Sequence, residues 1–249
     1  MNVLGLIPAR YESTRFPGKP LADIHGKSMI MRVFEQASKA FQTVYVATDD
    51  ERIFNHVISN GGKAIMTSPL HKSGTDRCAE AYKLLSKELK TKFDIVVNIQ
   101  GDEPYIQPSQ LELLISCFED LENDIATLVK PIESVDDLWD ANKPKVILNK
   151  KNQAIYFSRA TIPFLRNVPK EKWLEKGVFY KHIGLYAYRL RILEKITKLP
   201  LSNLELAESL EQLRWIENNY CIGVKITNTE TLSVDTPEDL KKIIQLQRK

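Results

Sequence analysis

Asp94 to Ile99 reads DIVVNI, an apolar run with little polar alternation. Strands of this kind are covered on both faces, as in parallel sheets. Working outward, Asn2 to Ala9 (NVLGLIPA) reads as another buried strand, Thr43 to Thr48 (TVYVAT) as a third and Lys63 to Thr67 (KAIMT) as a shorter fourth. Between them, Ile30, Val33, Phe34 and Ala37 recur at helical spacing within Ser28 to Phe41. A second helix starts at Asp50 and stops at Gly61-Gly62, and a third covers Thr75 to Leu89. Strands alternating with helices predict an α/β fold with a mainly parallel sheet, right-handed crossovers and flanking helices.

The second half is less regular. Lys145 to Leu148 and Ala154 to Phe157 flank the polar turn Asn149-Lys150-Lys151-Asn152, which predicts a β-hairpin. His182 to Tyr188 and Cys221 to Thr227 read as strands, Leu204 to Ile216 as one helix and Pro237 onward as a terminal helix. No Gly/Ser/Pro-rich linker separates the halves. The expectation is a single α/β domain over residues 1–249, with a smaller, less regular subregion around 145–215.

The chain has 249 residues, 43% hydrophobic and 27% charged, enough apolar mass for a substantial core. Thirty-five Lys and Arg against 32 Asp and Glu leave a net charge of +3, too balanced for bulk attraction to nucleic acid or a membrane surface. Three cysteines without a C-x-x-C pair argue against a disulfide framework or a zinc site. The chain opens on a strand-like run, and no stretch has the ~18 consecutive apolar residues of a membrane span. A cytoplasmic location without membrane insertion is the expectation.

In open α/β sheets, ligands bind beyond the carboxyl ends of the strands. The loop after the first strand, Pro8 to Pro20, carries Arg10, Arg15 and Lys19 with Gly18. Guanidinium forks and an ammonium suit a triphosphate, though a solvated basic loop reads the same. The dinucleotide fingerprint G-x-G-x-x-G is absent, and a P-loop ending at Gly26-Lys27-Ser28 would require glycine where Leu21 stands. After DIVVNI comes Gln100-Gly101-Asp102-Glu103-Pro104, where Asp102 reads either as a magnesium ligand or as a turn residue. Glu103 is the weaker ligand, because adjacent side chains on extended backbone point apart. In Val234-Asp235-Thr236-Pro237-Glu238-Asp239, Thr236 as cap and Pro237 at the first helical position explain the motif by capping alone. Asp235, outside that cap, is a second candidate ligand. Ser73 to Arg77 reads as a loop entering a helix, offering N–H groups and a guanidinium to an anion. His182, Gly184 and Tyr186 share one strand face, a pattern that also suits core packing.

Eight ordered stretches then carry a resemblance: LIPARYESTRFPGKPL, VATDD, SGTDR, NIQGDEP, YFSRATIP, KHIGLYAYR, LEQLR and VDTPEDL. Together they resemble the 3-deoxy-manno-octulosonate (Kdo) cytidylyltransferases, the CMP-Kdo synthetases of Gram-negative bacteria, over Val3 to Leu240. The resemblance implies a nucleotide-diphospho-sugar-transferase-like α/β fold, a magnesium requirement and a homodimer. It implies CMP transfer from CTP to the anomeric 2-hydroxyl of Kdo, releasing pyrophosphate, for lipopolysaccharide biosynthesis. By matching motif, Arg10, Arg15 and Lys19 would hold the triphosphate, and Pro8, Ala9, Ser73, Arg77 and Gln100 would line the nucleotide. Asp102 and Asp235 would be the magnesium ligands, with a second ion at the outer phosphates compatible. Arg159, His182, Tyr186, Glu211 and Gln212 match the sugar-side positions. The sialic-acid branch shares the opening strand and Pro-Gly-Lys, but its loop is glycine- and lysine-rich where this chain has Tyr11 to Arg15. An enzyme acting on 8-amino-Kdo or a sialic acid is the alternative.

Overall fold

DIVVNI forms a strand over Ile95–Asn98 in which every residue is buried. The structure, a computed structural model, describes residues 1–12, 15–230 and 232–246, so Ser13 and Thr14 of the basic loop lie outside the described residues. The chain divides into two compact units: Met1–Glu112, Tyr188–Thr197 and Thr231–Lys249 form the first, and Leu113–Ala187 with Lys198–Glu230 the second.

The first unit holds β1 (Val3–Ala9), β2 (Thr43–Thr48), β3 (Ala64–Met66) and β4 (Ile95–Asn98). They lie side by side as β4-β1-β2-β3, all parallel. Helices Met29–Ala40, Glu51–Ser59 and Gly74–Leu89 follow β1, β2 and β3. Asp50 caps the second of these, accepting from the Arg52 and Ile53 amides. Leu4, Leu6, Ile7, Val46, Ile95, Val96 and Val97 are fully buried. Each such side chain stabilises the fold by roughly 1.5–3 kcal/mol. The chain runs from β1 outward through β2 to β3, then returns to the other side of β1 as β4. That reversal opens a crevice past the carboxyl ends of β1 and β4.

The second unit holds β5 (Ile125–Pro131), β6 (Lys145–Leu148), β7 (Ala154–Ser158), most of β8 (Tyr180–Arg189) and β9 (Ile222–Ile226). β9 and β5 are parallel, while β6 pairs antiparallel with both β7 and β8. The β6–β7 pair is the predicted hairpin, with Asn152 left-handed at φ 57°. One expectation is corrected. Leu204 to Ile216 is two helices, Asn203–Glu208 and Glu211–Glu217, not one. Ser209 between them takes a left-handed conformation at φ 52°, which breaks the ladder and frees the Glu208 and Ser209 carbonyls. Both carbonyls accept hydrogen bonds from Arg159.

Candidate active site

The crevice beside β1 is a cleft of about 350 Å³ in the first unit. Its lining includes Pro8, Ala9, Arg10, Arg15, Lys19, Gln100 and Asp102, residues predicted from two loops about ninety positions apart. Gly101 lets those loops meet, since a Cβ there would lie 2.9 Å from the Pro8 carbonyl oxygen. Gly18 sits at φ 70°, and a Cβ there would meet the Tyr11 ring at 3.2 Å. Its amide donates to the Tyr11 carbonyl, closing the basic loop and starting the turn that carries Lys19.

Lys19 Nζ lies 2.7 Å from an Asp102 oxygen and 3.6 Å from an Asp235 oxygen. Arg15 reaches the same Asp235 oxygen at 3.2 Å. The Val234 amide donates to the Asp102 carbonyl, which anchors the Asp235 segment beside β4. Thr236 caps the terminal helix as predicted, accepting from the Asp239 amide while Asp239 accepts from the Thr236 amide. Capping and site roles are therefore compatible: Thr236 closes the helix and Asp235, one residue earlier, faces the cations.

Glu12 also lines the cleft. Three cations (Arg10, Arg15, Lys19) are thus matched by three carboxylates (Glu12, Asp102, Asp235). Glu103 adds no charge at neutral pH. It is buried, and desolvation, reinforced by the Asp102 charge, pushes it up to about 8. A triphosphate with several negative charges exceeds what a balanced set can neutralise. Two carboxylates drawn to one cation beside such a cleft fit a magnesium ion, which commonly takes one or two carboxylates and completes its shell with phosphate oxygens and water.

Ser73 and Arg77 are not among the lining residues. Ser73 caps the helix Gly74–Leu89 by accepting from the Asp76 amide. Arg77 is 1% exposed, and its guanidinium donates to Thr67 Oγ1 at 2.6 Å and to Asp49 at 2.7 Å. It ties together the loops that follow β2 and β3.

The second unit gathers the sugar-side candidates. Arg159 donates to three backbone carbonyls, Glu208 at 2.6 Å, Ala141 at 3.0 Å and Ser209 at 3.3 Å. Its own amide donates to the Glu208 carboxylate. Among the described residues its side chain makes no ion pair, so a fixed guanidinium keeps its charge and two unused N–H groups. His182 and Tyr186 are ring neighbours at 5.2 Å, and Tyr186 meets Trp215 edge-on at 5.1 Å. Gln212 lies one turn before Trp215. It is buried, and its Nε2 has no protein partner among the described residues. Glu211 pairs with Arg214 at 2.9 Å.

Thr127 was not found from sequence, yet it sets the state of His182. Its hydroxyl lies 2.8 Å from the Leu185 carbonyl, 3.2 Å from that of Ile183 and 3.0 Å from His182 Nε2. Carbonyls only accept, so the hydroxyl proton goes to one of them and the hydroxyl accepts from Nε2–H. His182 Nδ1 is left as an acceptor. Burial pushes the imidazole down to about 3, so it is neutral at physiological pH. An unfolded histidine titrates near 6.5. As pH falls below that value the unfolded chain binds a proton that the folded chain refuses, so stability present above about pH 6.5 drains away toward pH 3. Thermal melts should show His182→Gln losing less stability than the parent between about pH 6.5 and 4.5; parallel profiles would contradict the neutral imidazole.

The cytidylyltransferase family model matches residues 4–226. The chain belongs to the cytidylyltransferase family. Within it, a 3-deoxy-manno-octulosonate cytidylyltransferase of Parabacteroides distasonis is 56% identical, over 98% of this chain and 97% of its own. An 8-amino-3,8-dideoxy-manno-octulosonate cytidylyltransferase of a Shewanella species is 47% identical over 98% of both chains. A solved structure of CMP:2-keto-3-deoxy-manno-octonic acid synthetase with CTP superposes with a TM-score of 0.90 at 42% identity, covering 100% of this chain and 99% of that one. The expected α/β nucleotidyltransferase fold and the resemblance read from the eight stretches are both met.

Proposed function

We infer that this cytidylyltransferase transfers CMP from CTP to the anomeric 2-hydroxyl of Kdo, giving CMP-Kdo and pyrophosphate. The observation that carries the reading is the cleft at the β1/β4 switch point, where Arg10, Arg15 and Lys19 gather beside Asp102 and Asp235. Kdo ranks above 8-amino-Kdo because the 56% identical relative is named for the former and the 47% identical one for the latter.

The chemistry sets an electrostatic problem. The sugar brings a carboxylate to a triphosphate, and unit charges ~4 Å apart repel by about 4 kcal/mol at an effective dielectric near 20. Asp102 and Asp235 would hold magnesium, which supplies Lewis acidity at the phosphate and lowers the pKa of an attacking hydroxyl. Arg10, Arg15 and Lys19 bind the triphosphate and offset charge on the departing pyrophosphate. Pro8, Ala9 and Gln100 border the nucleotide, with Ser73 and Arg77 shaping the wall behind it. Arg159 receives the sugar carboxylate, and the His182 acceptor and Gln212 donor orient its hydroxyls, with Tyr186 and Glu211 completing the sugar side. Such orientation supplies much of the acceleration by raising effective molarity.

We also propose a homodimer, a cytoplasmic setting and a product consumed in lipopolysaccharide assembly. Among the described residues no helix is long and apolar enough to cross a membrane. Pyrophosphate release should be measured from CTP with Kdo, 8-amino-Kdo or a sialic acid in parallel, with and without magnesium. Rapid release with Kdo alone is expected. Preference for another sugar acid, or full release in chelator, would overturn the corresponding assignment.

A further inference from the structure

Lys145 is 0% exposed and, among the described residues, makes no ion pair with any carboxylate. An ammonium is costly to bury without one. Burial, with the nearby Arg159 charge, holds its pKa below the ordinary lysine value despite the opposing pull of Asp140. The Nζ instead donates to two carbonyls of one turn, Asp140 at 2.7 Å and Lys143 at 2.9 Å. Between them in sequence stands Ala141, whose carbonyl accepts from Arg159 at 3.0 Å. Across the hairpin Lys145 is the register partner of Ser158, the residue before Arg159. The Ser158 hydroxyl and the Arg159 amide both donate to the Glu208 carboxylate. One turn and one helix break therefore aim a single guanidinium, and Lys145 pins the turn.

We propose that Lys145 is a positioning residue for the sugar acid. Its buried ammonium fixes the 140–143 turn so that Arg159 presents an uncompensated charge to the sugar carboxylate. The inference rests on the reading of Arg159 as the carboxylate's partner. An apolar residue could fill the same volume at lower desolvation cost, but it would leave the Lys143 carbonyl without its donor and the Asp140 carbonyl with the Lys143 amide alone, so the turn that carries the Ala141 carbonyl would be held less tightly. A misplacement of about 1 Å can cost on the order of 10²-fold in reactivity.

Lys145→Met should raise the KM for Kdo about tenfold while leaving the KM for CTP within about twofold. Lys145→Gln, whose amide has two N–H donors for the two carbonyls, should recover most of the loss. In an Arg159→Met background the effect of Lys145→Met should vanish, which a purely structural lysine would not produce. Should methionine prevent folding, as seen in thermal melts, Lys145→Asn, too short to reach both carbonyls, replaces it with the same readings. An unchanged KM for Kdo, or the same factor in both backgrounds, overturns the inference. If Arg159→Met itself leaves the KM for Kdo unchanged, the reading of Arg159 falls instead.

Discussion

Asp102→Asn should lower turnover by about 10²–10³-fold, the usual loss when one preorganised electrostatic contact is removed. The substitution keeps the shape of the side chain and removes its charge. Asp102 is the more enclosed of the two carboxylates, 26% exposed against 43% for Asp235, and it lies in the loop that follows β4. Its pair with Lys19 is partly open to solvent, so the loss should shift stability by no more than about 1 kcal/mol. A folded, inactive variant is thus expected. Calorimetry separates the causes. Without magnesium, CTP should bind the variant at least as well as the parent, because a negative charge has left the cleft proposed for its phosphates. With magnesium, the gain in CTP affinity seen for the parent should shrink. Turnover within a few-fold of the parent would remove Asp102 from the metal site. Asp235→Asn tests the partner, and its Arg15 contact should make CTP binding without magnesium rise there too.

The sequence made the parallel half of the fold legible because its signals are local. DIVVNI, TVYVAT and the Gly61-Gly62 stop each speak for their own segment, and the observed elements match them to within a residue or two. β5 went unread although IATLVKP is an apolar run bounded by Asn123-Asp124 before it and Pro131 at its end. The break at Ser209 also went unread. LELAESLEQLRWI has helical periodicity throughout, and the left-handed serine is tied to a contact distant in sequence, the Arg159 guanidinium on the carbonyls at 208 and 209. The basic loop, Asp102 and Asp235 could be named from strand-end position and resemblance, but not their meeting on Lys19. Thr127 and Glu208 had no signal at all, because a strand threonine and a helix glutamate become site residues only through neighbours fifty or more positions away.

Arg77 separates recognition from support most sharply, and its replacement should be the costliest to stability. Arg77→Met would leave the Asp49 carboxylate and the Thr67 hydroxyl without their donor in a region where Arg77 itself is 1% exposed. Removing one partner of a buried ion pair destabilises by about 3–5 kcal/mol. Asp49 retains 14% exposure, so the lower end, about 3 kcal/mol, applies. For a chain of this size that corresponds to a fall in Tm of roughly 6–12 °C. Asp49 also lines a second hollow together with Arg10 and Tyr11, so its displacement would loosen the wall behind Arg10. The double variant Arg77→Met with Asp49→Asn distinguishes the two roles. If Arg77 serves by holding Asp49, neutralising that carboxylate should recover part of the lost stability, and CTP affinity should return in step with it. If the guanidinium contacts the nucleotide directly, as the family resemblance implies, stability would recover while CTP affinity stayed low. Melting curves and CTP titrations on the same two proteins decide between a strut and a ligand-binding arginine.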